Sequence, residues 1–137
     1  MVLLAAAALT GCGGTRKDVA SAPTPVASGC PATASPVAAT AFPTNVPLPP
    51  GAIVTGYEQR SGDRQILTGV ASAGFRPTLE FMQKAYPQAG LTLGEGEVEA
   101  GDAESNFAGN GLTGRWTLKE LRDCGGATLV TVLVAAS

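Results

Sequence analysis

Few side chains in this 137-residue chain could do chemistry, and the types present rule out several reactions. There is no histidine. Its absence removes the commonest general base, the commonest metal ligand and any Ser-His-Asp triad together. Carboxylates are densest at Glu95, Glu97 and Glu99, with Asp102 and Glu104 just beyond. On a strand the three glutamates alternate, so they project from one face. An acidic face suits Ca²⁺, which takes several carboxylate and carbonyl oxygens. Asp102-Ala103-Glu104-Ser105-Asn106 begins like a Ca²⁺ loop. Phe107, however, stands where such a loop needs Gly, and Thr113 where it needs a bidentate Glu. Two carboxylates held about 5–10 Å apart would also suit glycoside hydrolysis. Neighbouring exposed glutamates meet that spacing trivially, and a catalytic pair needs a cleft as well. A solvated acidic edge is the plainer reading. Gly94-Glu95-Gly96 lacks the third glycine and the following helix of a dinucleotide loop, and no Walker sequence occurs. The expectation is a protein without metal, cofactor or catalytic set, hence not an enzyme.

The basic residues Arg60, Arg64, Arg76, Arg115, Lys119 and Arg122 are dispersed, and the net charge is −2. No global field draws the chain to nucleic acid. One local grouping stands out. Across 112–118 the chain alternates cleanly: Leu112, Gly114, Trp116 and Leu118 face one way. Thr113, Arg115, Thr117 and Lys119 face the other. This second set is a candidate contact surface for an acidic envelope protein or a cell-wall polymer; the alternative is an ordinary solvated sheet face. Trp116 falls on the apolar side and belongs in the core.

The elements that must hold these residues can be read in order. Pro47, Pro49 and Pro50 forbid strand pairing until after Gly51. Residues 52–58 predict a first strand, with Ile53 and Tyr57 on one face. Arg60-Ser61-Gly62-Asp63 predicts a hairpin loop, and 65–72 a second strand in which Ile66 and Val70 share a face. A helix is expected over 78–89: Pro77 suits its first turn, and Leu79, Met82 and Tyr86 form one apolar stripe. A third strand is expected at 91–98, then a loop over 100–111 broken by Gly101, Gly109 and Gly111. Strands follow at 112–118 and 127–135, the second rich in β-branched residues and so central. The order β-β-α-β-β-β predicts a two-layer α+β domain: a mostly antiparallel sheet of about five strands with one helix on one face.

Upstream, Val2 to Leu9 is continuously apolar but shorter than the ~20 residues of a membrane span. It ends in Leu9-Thr10-Gly11-Cys12. These four residues resemble the lipobox of bacterial lipoproteins. The resemblance implies a signal peptide over 1–11, cleavage before Cys12 and a diacylglyceryl group on the Cys12 sulfur. It also implies a chain held at the cell membrane and facing the extracytoplasmic side. No Lys or Arg precedes the apolar run, so the natural start is expected upstream of Met1. Residues 12–45 are rich in Pro, Ala, Ser and Thr and read as a disordered linker, leaving 46–137 as the folded domain. If Cys12 carries lipid, Cys30 and Cys124 remain. A disulfide between them suits an oxidising exterior; the alternative is two unrelated free thiols.

The run Pro49-Pro50-Gly51-Ala52, a hairpin, a helix with Tyr86 near its end, Gly90 and further strands is similar to small extracytoplasmic domains of actinobacterial lipoproteins. That likeness covers 46–135 and implies a fold type without an activity. The function expected is a membrane-anchored binding or interaction module of the cell envelope. The alternatives are a structural envelope protein without a specific ligand, or a small hydrolase using its acidic residues.

Overall fold

The computed structural model describes Cys30 and residues 34–137. The expected signal peptide, Cys12 and most of the expected linker lie outside the described residues. The elements are β1 (Ile53–Arg60), β2 (Arg64–Gly74), α1 (Phe75–Gln88), β3 (Thr92–Glu99), β4 (Asp102–Gly109), β5 (Leu112–Leu121) and β6 (Ala127–Ala136). The strands form one six-stranded sheet in the order β1-β2-β6-β5-β4-β3, and every neighbouring pair is antiparallel. The architecture is α+β as expected, with six strands where five were expected.

The added strand is β4, inside the stretch expected to be a loop. Its glycines are turn residues at its ends. Asn110 and Gly111 both have positive φ (53° and 73°), the pair needed by a two-residue hairpin turn between strands of right-handed twist. Gly101 (φ 87°) closes the other end. Between them Ala103, Ser105 and Phe107 point inward with period two.

Helix α1 starts three residues earlier than expected. The Thr78 hydroxyl donates back to the carbonyls of Ala73 and Gly74, at 3.2 and 3.0 Å. Leu79, Met82 and Tyr86 are buried, as their spacing predicted. The helix ends where Gly90 takes φ 79°. The Gly90 N–H then reaches the Pro87 carbonyl, and the Leu91 N–H the Tyr86 carbonyl, each at 3.0 Å. These are the two bonds of a Schellman cap, and Leu91 is fully buried beneath it.

One helix about 10 Å across covers only part of a six-stranded sheet some 29 Å wide. Residues 34–51 cover much of the rest of the same face. The Val37 N–H bonds the Val54 carbonyl of edge strand β1 at 2.8 Å. Phe42 and Val46 are buried in the core, and Phe42 meets Tyr57 edge-on at 6.5 Å. The Pro/Ala/Ser/Thr composition of 34–45 suggested an unfolded linker; the single Phe42 supplies the burial that composition alone did not suggest. Cys30 and Cys124 form a disulfide that ties this strap to the turn between β5 and β6.

β1 carries a correction of register. Ile53 and Tyr57 were expected on one face. Val54 pairs with Gly69 and Gly56 with Thr68, so Thr55 is an extra residue, a β-bulge. The bulge puts Tyr57, opposite Leu67, on the helix face and leaves Ile53, opposite Val70, on the other.

Candidate interaction face

The core lies between the sheet and the layer formed by α1 and the strap. The opposite face of the sheet has no second layer among the described residues. Its side chains follow from cross-strand register, because residues directly opposite share a face. One row runs Thr68, Thr131, Thr117, Glu104, Glu97 from β2 to β3. The row beside it runs Glu58, Ile66, Leu133, Arg115, Asn106, with Glu58 ion-paired to Arg60 at 2.7 Å. A third runs Ile53, Val70, Leu129, Lys119, Asp102, Glu99.

Thr113, Arg115, Thr117 and Lys119 therefore all lie on this open face, as their alternation predicted. They do not form a free basic patch. The Arg115 Nε donates to Asn106 Oδ1 at 2.9 Å, and Nη1 lies 3.3 Å from Glu104 Oε1. Lys119 lies directly opposite Asp102. Two cations on β5 thus face four carboxylates on β4 and β3.

The acidic residues are also rearranged. Glu95, Glu97 and Glu99 were expected on one face. A bulge between Leu93 and Gly96 removes Glu95 from that register, while Glu97 and Glu99 stay on the open face. The bulge needs its glycine: a Cβ at Gly96 would collide with the Glu104 carbonyl and with Ser105. Glu97, Glu99, Asp102 and Glu104, with Thr117, line an open groove of ≈ 290 Å³. No group of three or more His, Cys, Asp or Glu among the described residues could hold a metal ion.

Sequence reasoning missed the aliphatic half of the face. Ile53 is 40% exposed and Leu133 38%, with Ile66 and Leu129 half-buried beside them. The signal was present in β6, where Leu129, Thr131 and Leu133 alternate with Val130, Val132 and Val134. It was hidden because both faces of a β-branched central strand read as core. The face measures roughly 29 Å by 27 Å, or about 780 Å², from strand spacing and rise. That is close to the ~800 Å² each partner contributes to a standard protein interface.

Beneath the sheet, the Tyr86 hydroxyl and the Trp116 indole N–H are buried without a hydrogen-bond partner. The rings lie 6.4 Å apart, and Phe107 packs 5.0 Å from Tyr86. Burial pushes the Tyr86 phenol well above its ordinary pKa. The pair is enclosed in the core, away from the open face.

No family model, curated protein or solved structure matches the chain. No helix among the described residues is long and apolar enough to cross a membrane.

Proposed function

We propose that this chain is a binding module of the bacterial envelope, tethered to the extracytoplasmic side of the cell membrane by a diacylglyceryl group on Cys12, and that it works through the open face of its sheet. The observation that carries the reading is that face itself, six strands wide, with aliphatic, threonine and charged residues ordered across it. A sheet with one solvated face normally shows polar residues there. Exposed Ile53 and Leu133 beside Ile66 and Leu129 depart from that pattern and suit contact with another protein. The lipobox resemblance of Leu9-Thr10-Gly11-Cys12 supports the tether, and the Cys30–Cys124 disulfide suits an oxidising compartment.

The test has two arms. Cells fed a labelled fatty acid should label the chain and leave Cys12→Ser unlabelled; equal labelling ends the tether. A photocrosslinking residue at Leu133 should capture a discrete partner in the envelope, while one at Lys84, on the exposed side of α1, should not. Matching patterns from the two positions end the open-face reading.

A further inference from the structure

The charged half of the open face is built at a cost to the sheet. Glu97 lies directly opposite Glu104, and Glu99 directly opposite Asp102. Like charges in directly opposed positions destabilise a strand pair. An edge strand needs charge to discourage aggregation, but single charges do that without being paired like-on-like. Arg115 relieves Glu104 in part, and Lys119 stands opposite Asp102. Glu97 and Glu99, at the outer edge, have carboxylates as their cross-strand neighbours on this face.

The groove between these carboxylates faces the same way as Leu133 and Ile66, two to three strands away. A second copy of the chain does not fit this layout. Stacking two faces about a twofold axis across the strands lays each strand over itself, so carboxylates meet carboxylates. An axis along the strands through the sheet centre reverses the order, so Glu99 and Asp102 meet Ile53 and Val70 and lose water there, while Arg60 and Arg64 lie two rows beyond Thr68 and Arg60 is already paired with Glu58. Nucleic acid and anionic lipid are repelled by the same carboxylates.

We infer that the open face takes a protein partner whose own surface carries an aliphatic patch bordered on one side by lysine or arginine. The aliphatic patch covers Ile53, Ile66, Leu129 and Leu133, and the border cations enter the groove at Glu97, Glu99, Asp102 and Glu104. This rests on the open face being the working surface, and it adds the chemistry of what binds there. Each partner cation would sit between two like charges, so the binding gain includes relief of repulsion in the free protein.

The probes are two synthetic amphipathic peptides with the same leucine face, one bordered by lysine and the other by glutamate. They are titrated into the full chain while amide shifts are followed. The lysine peptide should bind at least about ten-fold more tightly at low salt, with the difference shrinking by 0.5 M salt as charges are screened. Shifts should cluster at Leu133, Thr117 and Glu104. Glu97→Gln with Glu99→Gln should remove most of the preference, and circular dichroism should show the fold kept. Equal affinity for the two peptides, with shifts still on this face, overturns the cation requirement and leaves the open face as a binding surface. Binding of neither peptide, or shifts confined to α1, overturns the inference. Sedimentation showing a dimer that Leu133→Lys dissolves overturns it too, by making the occupant a second copy.

Discussion

Among the described residues, Tyr86 and Trp116 are the two whose polar side-chain atoms are left unpaired in the core. A buried hydroxyl without a partner costs about 1–3 kcal/mol relative to water. Removing it while keeping the ring should therefore stabilise. Tyr86→Phe is expected to raise the free energy of unfolding by about 1 kcal/mol, read from denaturant midpoints at pH 7. A loss of similar size would mean that the hydroxyl is hydrogen-bonded through water. The same residue predicts an alkaline limit. Its folded pKa is raised, so the unfolded chain loses the phenolic proton first. Stability is then full below about pH 10, the ordinary tyrosine value, and falls as pH rises above it. In a Tyr57→Phe background, phenolate absorbance should appear together with loss of ellipticity, and Tyr86→Phe should unfold at higher pH than the parent. Phenolate appearing in a chain that keeps its fold would contradict the burial. The stripe of Leu79, Met82 and Tyr86 was legible because its spacing had one simple outcome. The orphaned polar atoms were not, because satisfaction of a buried group depends on neighbours brought from other elements.

At the scale of elements, β4 and the bulge at Thr55 show where legibility stops. β4 presents Ala103, Ser105 and Phe107 inward, and two of these three are too small or polar to make period two visible. The Asn110-Gly111 turn is a readable hairpin signal, but Gly101 and Gly109 upstream mask it by reading as loop. Bulges are harder still, since each adds one residue and inverts every later side chain. Simple alternation puts Ile53 and Glu95 on the wrong face for that reason, and alternation within one strand reveals only the β5 members of the open face. One contact between β4 and β5 can be tested directly. Gly114 lies opposite Phe107, and the Phe107 ring covers the place where a side chain would stand. A Cβ there would also collide with the Leu133 carbonyl of β6. Gly114→Ala should thus cost about 1–3 kcal/mol, the usual penalty for overpacking, despite alanine's better strand propensity. Gly111→Ala serves as the contrast: a Cβ there meets nothing, but φ is 73°, so its smaller cost comes from the backbone alone. If Gly114→Ala proves neutral by thermal unfolding, the close fit of Phe107 over the glycine is wrong.

At the scale of the molecule, the helix face has two covers of unequal strength. Helix α1 buries a full stripe and is capped at its end. The strap of residues 34–51 buries Phe42 and Val46 and, among the described residues, makes one backbone hydrogen bond to the sheet. Sparse contacts make local opening cheap. The disulfide compensates by pinning Cys30, so the strap is held at both ends: covalently at Cys124 and by chain continuity at Ile53. Two effects of reduction should be separable. Globally, closing a loop of 94 residues stabilises by about 2–5 kcal/mol, and the denaturant midpoint should fall accordingly. Locally, the strap should open before the sheet does. Amide exchange at Val37 should accelerate on reduction far more than exchange at Val132, which lies in central β6. Phe42→Ala should cost about 3 kcal/mol in the oxidised chain and markedly less in the reduced one, because the ring is then already partly exposed. If the cost of Phe42→Ala is the same in both states, packing alone holds the strap and the disulfide acts on the unfolded chain only.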